Sequence, residues 1–536
     1  MPEPTTSSPA PLRDSLRRMK DLRRWIAAIL AASCLLAVGP TGCAGDPTPQ
    51  TFASGVAPDL DAADKPPDVP RRPNIVILFT DDQQAATVDR GVLRQVRTPN
   101  IDRLSGRGVS MRSAYVMGGP HGAVCMPSRA MLLTGMHHFR LPRGITWTWS
   151  APPAERGRHD GPTLPSLLRD AGYETFFTGK WHNGRPFFAA NFEGGDAIFF
   201  GGMSDHDAVP VHEFDPTGRY EASNATRPDT HSSELFTDAA LEFLRDRDGE
   251  RPFLLMVSYT APHDPRTSPK PFASMYPPEE VALPANFMSA HPFPIGDLDV
   301  RDERLAPLPR TPEVVREHIA DYHGIVTHLD AQIGRMLDEL DDRGFADDTV
   351  VILVGDNGLA LGQHGLLGKQ NIYEHSSRVP MIVAGPGVPA GETRDGLCYV
   401  HDLFPTVLEW CGVPVADNVD ARSLVPMLSP GAEEIRPTLL LGYSTGAMLD
   451  TPDGPRPKGV LRGVRSGGWK LIESWCEGVR TTRLFDLESD PWELQDLSEL
   501  PALADRLAAL RVELARLMRE AGDPIDPAIF AIDASS

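Results

Sequence analysis

Residues 74–80, Asn-Ile-Val-Ile-Leu-Phe-Thr, form an unbroken apolar run between a proline-rich stretch and two aspartates, Asp81 and Asp82. A strand that is apolar at nearly every position must be covered on both faces, which is the situation inside a parallel sheet. Comparable runs occur at residues 253–259 and 349–354. Helical periods separate them. The clearest covers about residues 315 to 343, with Ile319, Tyr322, Ile325, Leu329, Ile333 and Leu337 on one stripe and Gly344 as a C-cap. Alternating strands and helices predict an α/β fold with a large doubly wound, mainly parallel sheet flanked by helices over residues 73–430. From 431 to 536 the segments shorten and predict a smaller antiparallel-sheet C-terminal subdomain, closed by an amphipathic helix near residues 502–520. A chain of 536 residues is too long for one small core.

Polar residues cluster directly after these strands: Asp81-Asp82 after the first, His263 after the second, Asp356-Asn357 after the third. Open parallel sheets bind ligands outside the carboxyl ends of their strands. Asp81, Asp82, Asp356 and Asn357 offer oxygen donors alone, which suits a hard cation, calcium first and magnesium second. Taken singly, each pair also reads as a solvated turn. It is their recurrence at successive strand ends that predicts a shared site.

The stretch Cys125-Met126-Pro127-Ser128-Arg129, followed by an apolar run ending in Thr134-Gly135, reads as the start of a buried helix with proline near its beginning. Cys125 is then placed at a helix N-terminus, where backbone N–H groups favour an anion. Arg129, one turn on, can lean back toward the same spot. This run resembles the Cys-x-Pro-Ser-Arg signature of the type I sulfatases, within the alkaline-phosphatase superfamily. The resemblance implies that Cys125 is oxidised by a formylglycine-generating maturation enzyme to an aldehyde, whose hydrate attacks sulfur and later expels sulfate. It also implies that Asp81, Asp82, Asp356 and Asn357 hold the cation, with the modified residue 125 completing the shell.

The same resemblance extends to Gly179-Lys180-Trp181-His182, to Ala261-Pro262-His263 and to Gly368-Lys369. It implies that Lys180 holds the nucleophile and a sulfate oxygen and that His182 takes the proton that lets sulfate leave. His263 and Lys369 would contact the sulfate and assist the departing alkoxide. It covers roughly residues 73–520, including Asp490-Pro491-Trp492-Glu493. His364 is a weaker site candidate, His323 and His328 read as structural residues of the long helix, and His121 reads either as a pocket residue or as part of a loop. Trp147 and Trp149, two apart, read either as a platform for a sugar ring or as core packing.

A net charge of −21 argues against nucleic acid as a partner. Residues 1–43 have the layout of a secretory leader, with Arg23-Arg24 ahead of an apolar stretch too short to span a membrane. Cys43 follows small residues, so the leader ends either in cleavage and release or in a bacterial lipid anchor. Residues 44–72 read as a flexible linker. Export to the periplasm or cell surface is expected either way. Cys398, Cys411 and Cys476 remain, an odd number that supports no disulfide framework, although one pair, such as Cys398 with Cys411, would be compatible with an oxidising compartment.

Sulfate-ester hydrolysis is therefore the expected activity. A sulfated carbohydrate is the favoured substrate, with choline sulfate and aryl sulfates as runners-up. Hydrolysis of phosphonate or phosphate esters on the same site, and a non-catalytic glycan-binding lipoprotein, are the alternatives.

Overall fold

Strand β1 (Asn74–Thr80) sits in the middle of the fold because every side chain after Asn74 is buried. The computed structural model describes residues 72–88, 95–247, 249–446, 448–449 and 456–530, which belong to a unit spanning Lys65–Ser536. The leader, Cys43 and the linker up to residue 71 lie outside the described residues. The large sheet contains β1, β2 (Gly108–Met111), β3 (Glu174–Lys180), β4 (Gly194–Phe199), β5 (Phe253–Ser258), β6 (Thr349–Gly355), β7 (Met381–Ala384) and β8 (Glu392–Arg394). Their spatial order is β8-β2-β7-β6-β1-β5-β3-β4. Strand β7 runs antiparallel to its neighbours β2 and β6, and the remaining pairs are parallel.

The alternation of β1 side chains divides the interior. Ile75, Ile77 and Phe79 join one core cluster with Leu132 and Leu133 of helix α1 (Cys125–Thr134). Val76 and Leu78 join another with helices α2 (Ser232–Asp246) and α3 (Pro312–Asp342), through Phe236, Leu244, Ile325, Leu329 and Ile333. Helices thus cover both faces, as a strand without a polar face requires. Helix α3 begins three residues before the expected Val315, because Thr311 accepts a hydrogen bond from Val314 N and Pro312 occupies the first turn, where its missing N–H costs nothing. Among the described residues no helix is long and apolar enough to cross a membrane.

A second sheet follows in the chain: β9 (Thr438–Ser444), β10 (Gly459–Ser466), β11 (Trp469–Cys476) and β12 (Val479–Asp486), each antiparallel to the next. Helix α4 (Ala504–Glu520) packs on it. The sheet is not built from C-terminal residues alone. Gly118–Gly119, just ahead of α1, pairs in parallel with Gly442 and Tyr443 of β9. The approach is close enough that a Cβ on Gly118 would lie 2.0 Å from the Gly442 carbonyl oxygen, and its φ of 114° is one that side chains avoid. Cys398, Cys411 and Cys476 are buried free thiols, so the Cys398–Cys411 bridge is not formed.

Several imidazoles are buried in the neutral form. Burial pushes His121 down to about 4, against a hydrogen bond to Thr146; burial and then His206 push His231 down to about 4; burial alone does the same for His323. In the unfolded chain these groups titrate at about 6.5, so below that pH the unfolded state binds more protons and gains on the folded one. Stability contributed by the three is complete above that pH and is lost as pH falls toward about 4, at about 1.4 kcal/mol per group per pH unit. The denaturation midpoint is therefore expected to drop steeply between about pH 6.5 and 4.5; a flat profile across that interval would contradict the neutral burial.

Candidate active site

The ends of three adjacent parallel strands bring the acidic residues together. Asp81 and Asp82 follow β1, and Asp356 and Asn357 follow β6, which pairs with β1 in register from Asn74↔Thr349 to Thr80↔Gly355. The ladder continues past the strands, since Asp356 N donates to Thr80 O at 2.9 Å. Asp82 N then donates to Asp356 Oδ1 at 3.1 Å, and Asn357 Nδ2 to Asp82 Oδ1 at 2.6 Å. Beyond β5, Ala261 O accepts from Asp81 N at 3.1 Å, and this brings His263 Nε2 to 3.6 Å from Asp82 Oδ2.

Helix α1 delivers Cys125 to this edge. Its Sγ lies 3.3 Å from His182 Nδ1, 3.7 Å from Lys180 Nζ and 4.0 Å from Lys369 Nζ. Lys180 ends β3 and pairs with Asp81, while Lys369 donates to Asp82 Oδ1 at 2.6 Å. His182 fits because residue 202 is glycine: a Cβ there would lie 2.5 Å from the His182 ring. Asn183 anchors the helix start by donating to Met126 O at 2.8 Å and Ile145 O at 2.7 Å.

Arg129 is 2% exposed, and its hydrogen bonds go to protein groups. It meets Asp356 Oδ2 through Nε at 3.0 Å and through a terminal nitrogen at 2.9 Å, donates to Lys180 O at 2.7 Å and to Ser258, and lies over the Phe79 ring. The guanidinium thus ties α1 to the ends of β3, β5 and β6.

Charge governs the electrostatics. Burial would raise the Asp81 carboxyl, but Lys180 first, then His263, Arg129 and Lys369, hold it well below the usual carboxylate range. Burial and the neighbouring Asp81 charge push Asp356 up to about 7, against Arg129 and Lys180. Burial raises the Cys125 thiol in spite of the two lysines, and it holds His182 neutral, helped by Lys180 and Arg129. Burial opposes the Lys369 charge, but Asp82 foremost keeps its ammonium far above the normal range.

The donor set suits a hard cation. Ligand atoms of Asp81, Cys125 and Asp356 lie within 4.8 Å of one another, as do those of Asp81, Asp82 and His263. Asp81 Oδ1 and Asn357 Oδ1 are buried without a hydrogen-bond partner. Buried acceptor oxygens are rarely left bare in folded proteins, and a cation's coordination shell would satisfy both.

Above Cys125 opens a cavity of about 510 Å³ that His182, His263 and Lys369 line together with His121, Trp147 and Trp149. His121 is therefore a wall residue, 5.0 Å from the Trp147 ring and 4.9 Å from that of Trp149, which is 53% exposed. His364 stands apart, stacked on Tyr373 and near His375 and Glu493; Lys470 pairs at 2.9 Å with both Glu493 and Glu374. His323 and His328 lie buried on α3. Sequence reasoning missed Asp297, Arg301, Asp302 and Gln370, which also line the cavity. The first three come from a loop and the start of a short 3-10 helix (Asp302–Leu305), and nothing in their local pattern marks them.

Comparison with known proteins identifies the family. The family model described as Sulfatase matches residues 73–413, and one described as N-sulphoglucosamine sulphohydrolase, C-terminal, matches residues 362–520. The choline-sulfatase of Rhizobium meliloti (strain 1021) is 28% identical over 456 residues, covering 80% of this chain and 83% of the relative. The N-acetylglucosamine-6-O-sulfatase of Bacteroides thetaiotaomicron is 27% identical over 491 residues, with 80% and 83% covered. A solved structure of a protein with its substrate D-glucosamine-2-N,6-O-disulfate superposes with a TM-score of 0.68 over 85% of this chain and 99% of that one. At 23% identity, that likeness speaks to the fold.

Removing the guanidinium of Arg129 leaves Asp356 buried beside Asp81 with a main counter-charge gone. Arg129→Ala is expected to destabilise the protein by roughly 3–5 kcal/mol, the range for breaking one side of a buried ion pair. Denaturant titration checks this, and an unchanged midpoint would show that the arginine does not bind these strand ends together.

Proposed function

The chain belongs to the sulfatase family of sulfate-ester hydrolases, and within it we propose desulfation of a carbohydrate by residue 125, oxidised to formylglycine, beside a calcium ion held by Asp81, Asp82, Asp356 and Asn357. The observation that carries this reading is the convergence of Cys125 Sγ with Lys180, His182 and Lys369 beside the unpartnered oxygens of Asp81 and Asn357. Magnesium is the second choice of cation. The raised thiol pKa speaks against Cys125 acting directly as a thiol nucleophile, because a protonated thiol is a poor one.

Oxidised and hydrated, residue 125 supplies one hydroxyl that displaces the alcohol from sulfur and a second that expels sulfate as the carbonyl reforms. The cation, when bound, draws electron density from a sulfate oxygen. The protein's own groups do the rest. Lys180 and Lys369 place two positive charges within 4.0 Å of the residue 125 side chain, where the transferring sulfate gathers negative charge. His182, neutral and 3.3 Å from the residue 125 side chain, can accept the proton of the second hydroxyl. His263 lines the pocket beside Asp82 and can protonate the departing alcohol oxygen. Arg129 acts through Asp356 and α1 as a positioning residue.

A carbohydrate substrate is supported by the relative named N-acetylglucosamine-6-O-sulfatase and by the exposed Trp149 beside Trp147 at the cavity. The relative named choline-sulfatase supports choline sulfate as the second reading. The leader layout supports export, with Cys43 as a lipid-anchor candidate in the periplasm or at the cell surface.

Cys125→Ala is expected to lower sulfate release at least about 1,000-fold while the fold persists. A loss smaller than about tenfold would remove the nucleophile role, and faster cleavage of a phosphonate than of a sulfate ester of the same phenol would reassign the reaction. Asp356→Ala is expected to abolish both bound metal and turnover; full metal stoichiometry by elemental analysis would exclude Asp356 as a ligand.

A further inference from the structure

Resting on the sulfate-ester reading, we infer that Asp297 makes the alcohol side of the cavity a charge filter. It admits esters whose leaving group is neutral or cationic and disfavours those carrying a second anion near the scissile bond.

The basic groups nearest Cys125 are already committed to the sulfate end: Lys369 donates to Asp82 Oδ1 at 2.6 Å, and Lys180 pairs with Asp81. Among the described residues, the other charged groups lining the cavity are Asp297, Arg301 and Asp302. Arg301 is not free to receive an anion. Two carboxylates hold it: Asp264, which it meets with both terminal nitrogens, one at 3.0 Å, and Asp302 at 2.5 Å. Arg266 also acts on Asp264 and Lys369 on Asp302, so the guanidinium is one of several cations shared among these carboxylates, and Asp302 is further fixed by Gln370 Nε2 at 2.7 Å. Asp297 is 8% exposed and makes no ion pair among the described residues; its hydrogen bond comes from the neutral hydroxyl of Tyr443.

His121 adds no positive charge to this wall. Its Nδ1 accepts from Ala123 N at 3.1 Å, so its proton resides on Nε2, which donates to Thr146 O at 2.6 Å. With Trp147 and Trp149 it contributes ring faces, which suit the C–H face of an uncharged sugar or an alkylammonium group. A sulfate or carboxylate placed beside the scissile ester would instead face Asp297, on which Lys458, itself paired with Glu477, acts only through space. In a partly enclosed cavity, like charges repel more strongly than in open water.

Three phenyl sulfates test the filter with the matured full chain: one carrying a 3-methoxycarbonyl group, one a 3-carboxylate and one a 3-trimethylammonio group. The intrinsic reactivities of the phenols cancel when each substrate's kcat/KM is compared between wild type and Asp297→Asn. At low ionic strength the substitution is expected to raise the carboxylate substrate at least about fivefold relative to the neutral one and to lower the trimethylammonio substrate relative to it, mainly through KM. Equal changes across all three would overturn the filter. If the variant does not fold, the wild type still decides: moving from about 0.02 to 0.5 M salt should favour the carboxylate substrate relative to the neutral one, and a salt-independent ratio overturns the inference. If oxidised protein, shown as such by mass spectrometry, turns over none of the three, a neutral sugar monosulfate and its carboxylate-bearing counterpart take their place, equal changes in both on Asp297→Asn overturning the filter. Sulfate release from none of these esters would sink the underlying carbohydrate-sulfatase reading, not the filter alone.

Discussion

Carboxylates crowded at the ends of neighbouring strands are the constraint around which this molecule is organised. Asp81, Asp82 and Asp356 are all buried, and the parallel register of β1 and β6 leaves them no room to separate. Like charges so placed are tolerated only with compensation, and Arg129, Lys180 and Lys369 provide it from three other segments of the chain. The compensation is uneven. Asp81 is held ionised while Asp356 is pushed toward neutrality, so the acids are poised for a further positive charge. The unpartnered oxygens of Asp81 and Asn357 point to the same deficit from the side of hydrogen bonding.

The second sheet takes part in holding the proposed nucleophile. By pairing with Gly118–Gly119 it fixes the chain just before α1, and Asn183 fixes the first turn of that helix. Tyr443, the residue of β9 opposite Gly119, also holds Asp297 at the cavity. One strand therefore connects support of the residue 125 loop with the wall that a leaving group would meet.

Much of this architecture is legible in the order of residues. The all-apolar run of β1 coincides with the observed strand to the residue, because burial on both faces leaves no room for a polar side chain. Helix α3 is legible from its stripe, while its first turn is not, since a Thr-Pro cap carries no apolar period. The strand-end acids are legible as a group because parallel sheets bind at that edge. Arg129 is legible as a partner of the Cys125 region, but not as the tie among β3, β5 and β6 that its hydrogen bonds describe.

Local patterns in the sequence determined the class of fold, the main strands to within a residue or two at their ends and the chemical types available there, since each follows from periodicity over a few residues. Tertiary structure alone decided which charges neutralise one another. It gave Asp297 no ion pair among the described residues while engaging Arg301 twice, and it turned His121 and the two tryptophans into one wall. Such pairings join residues tens to hundreds of positions apart through irregular segments. Their energy depends on distance and burial, and neither is written in the succession of side chains along the backbone.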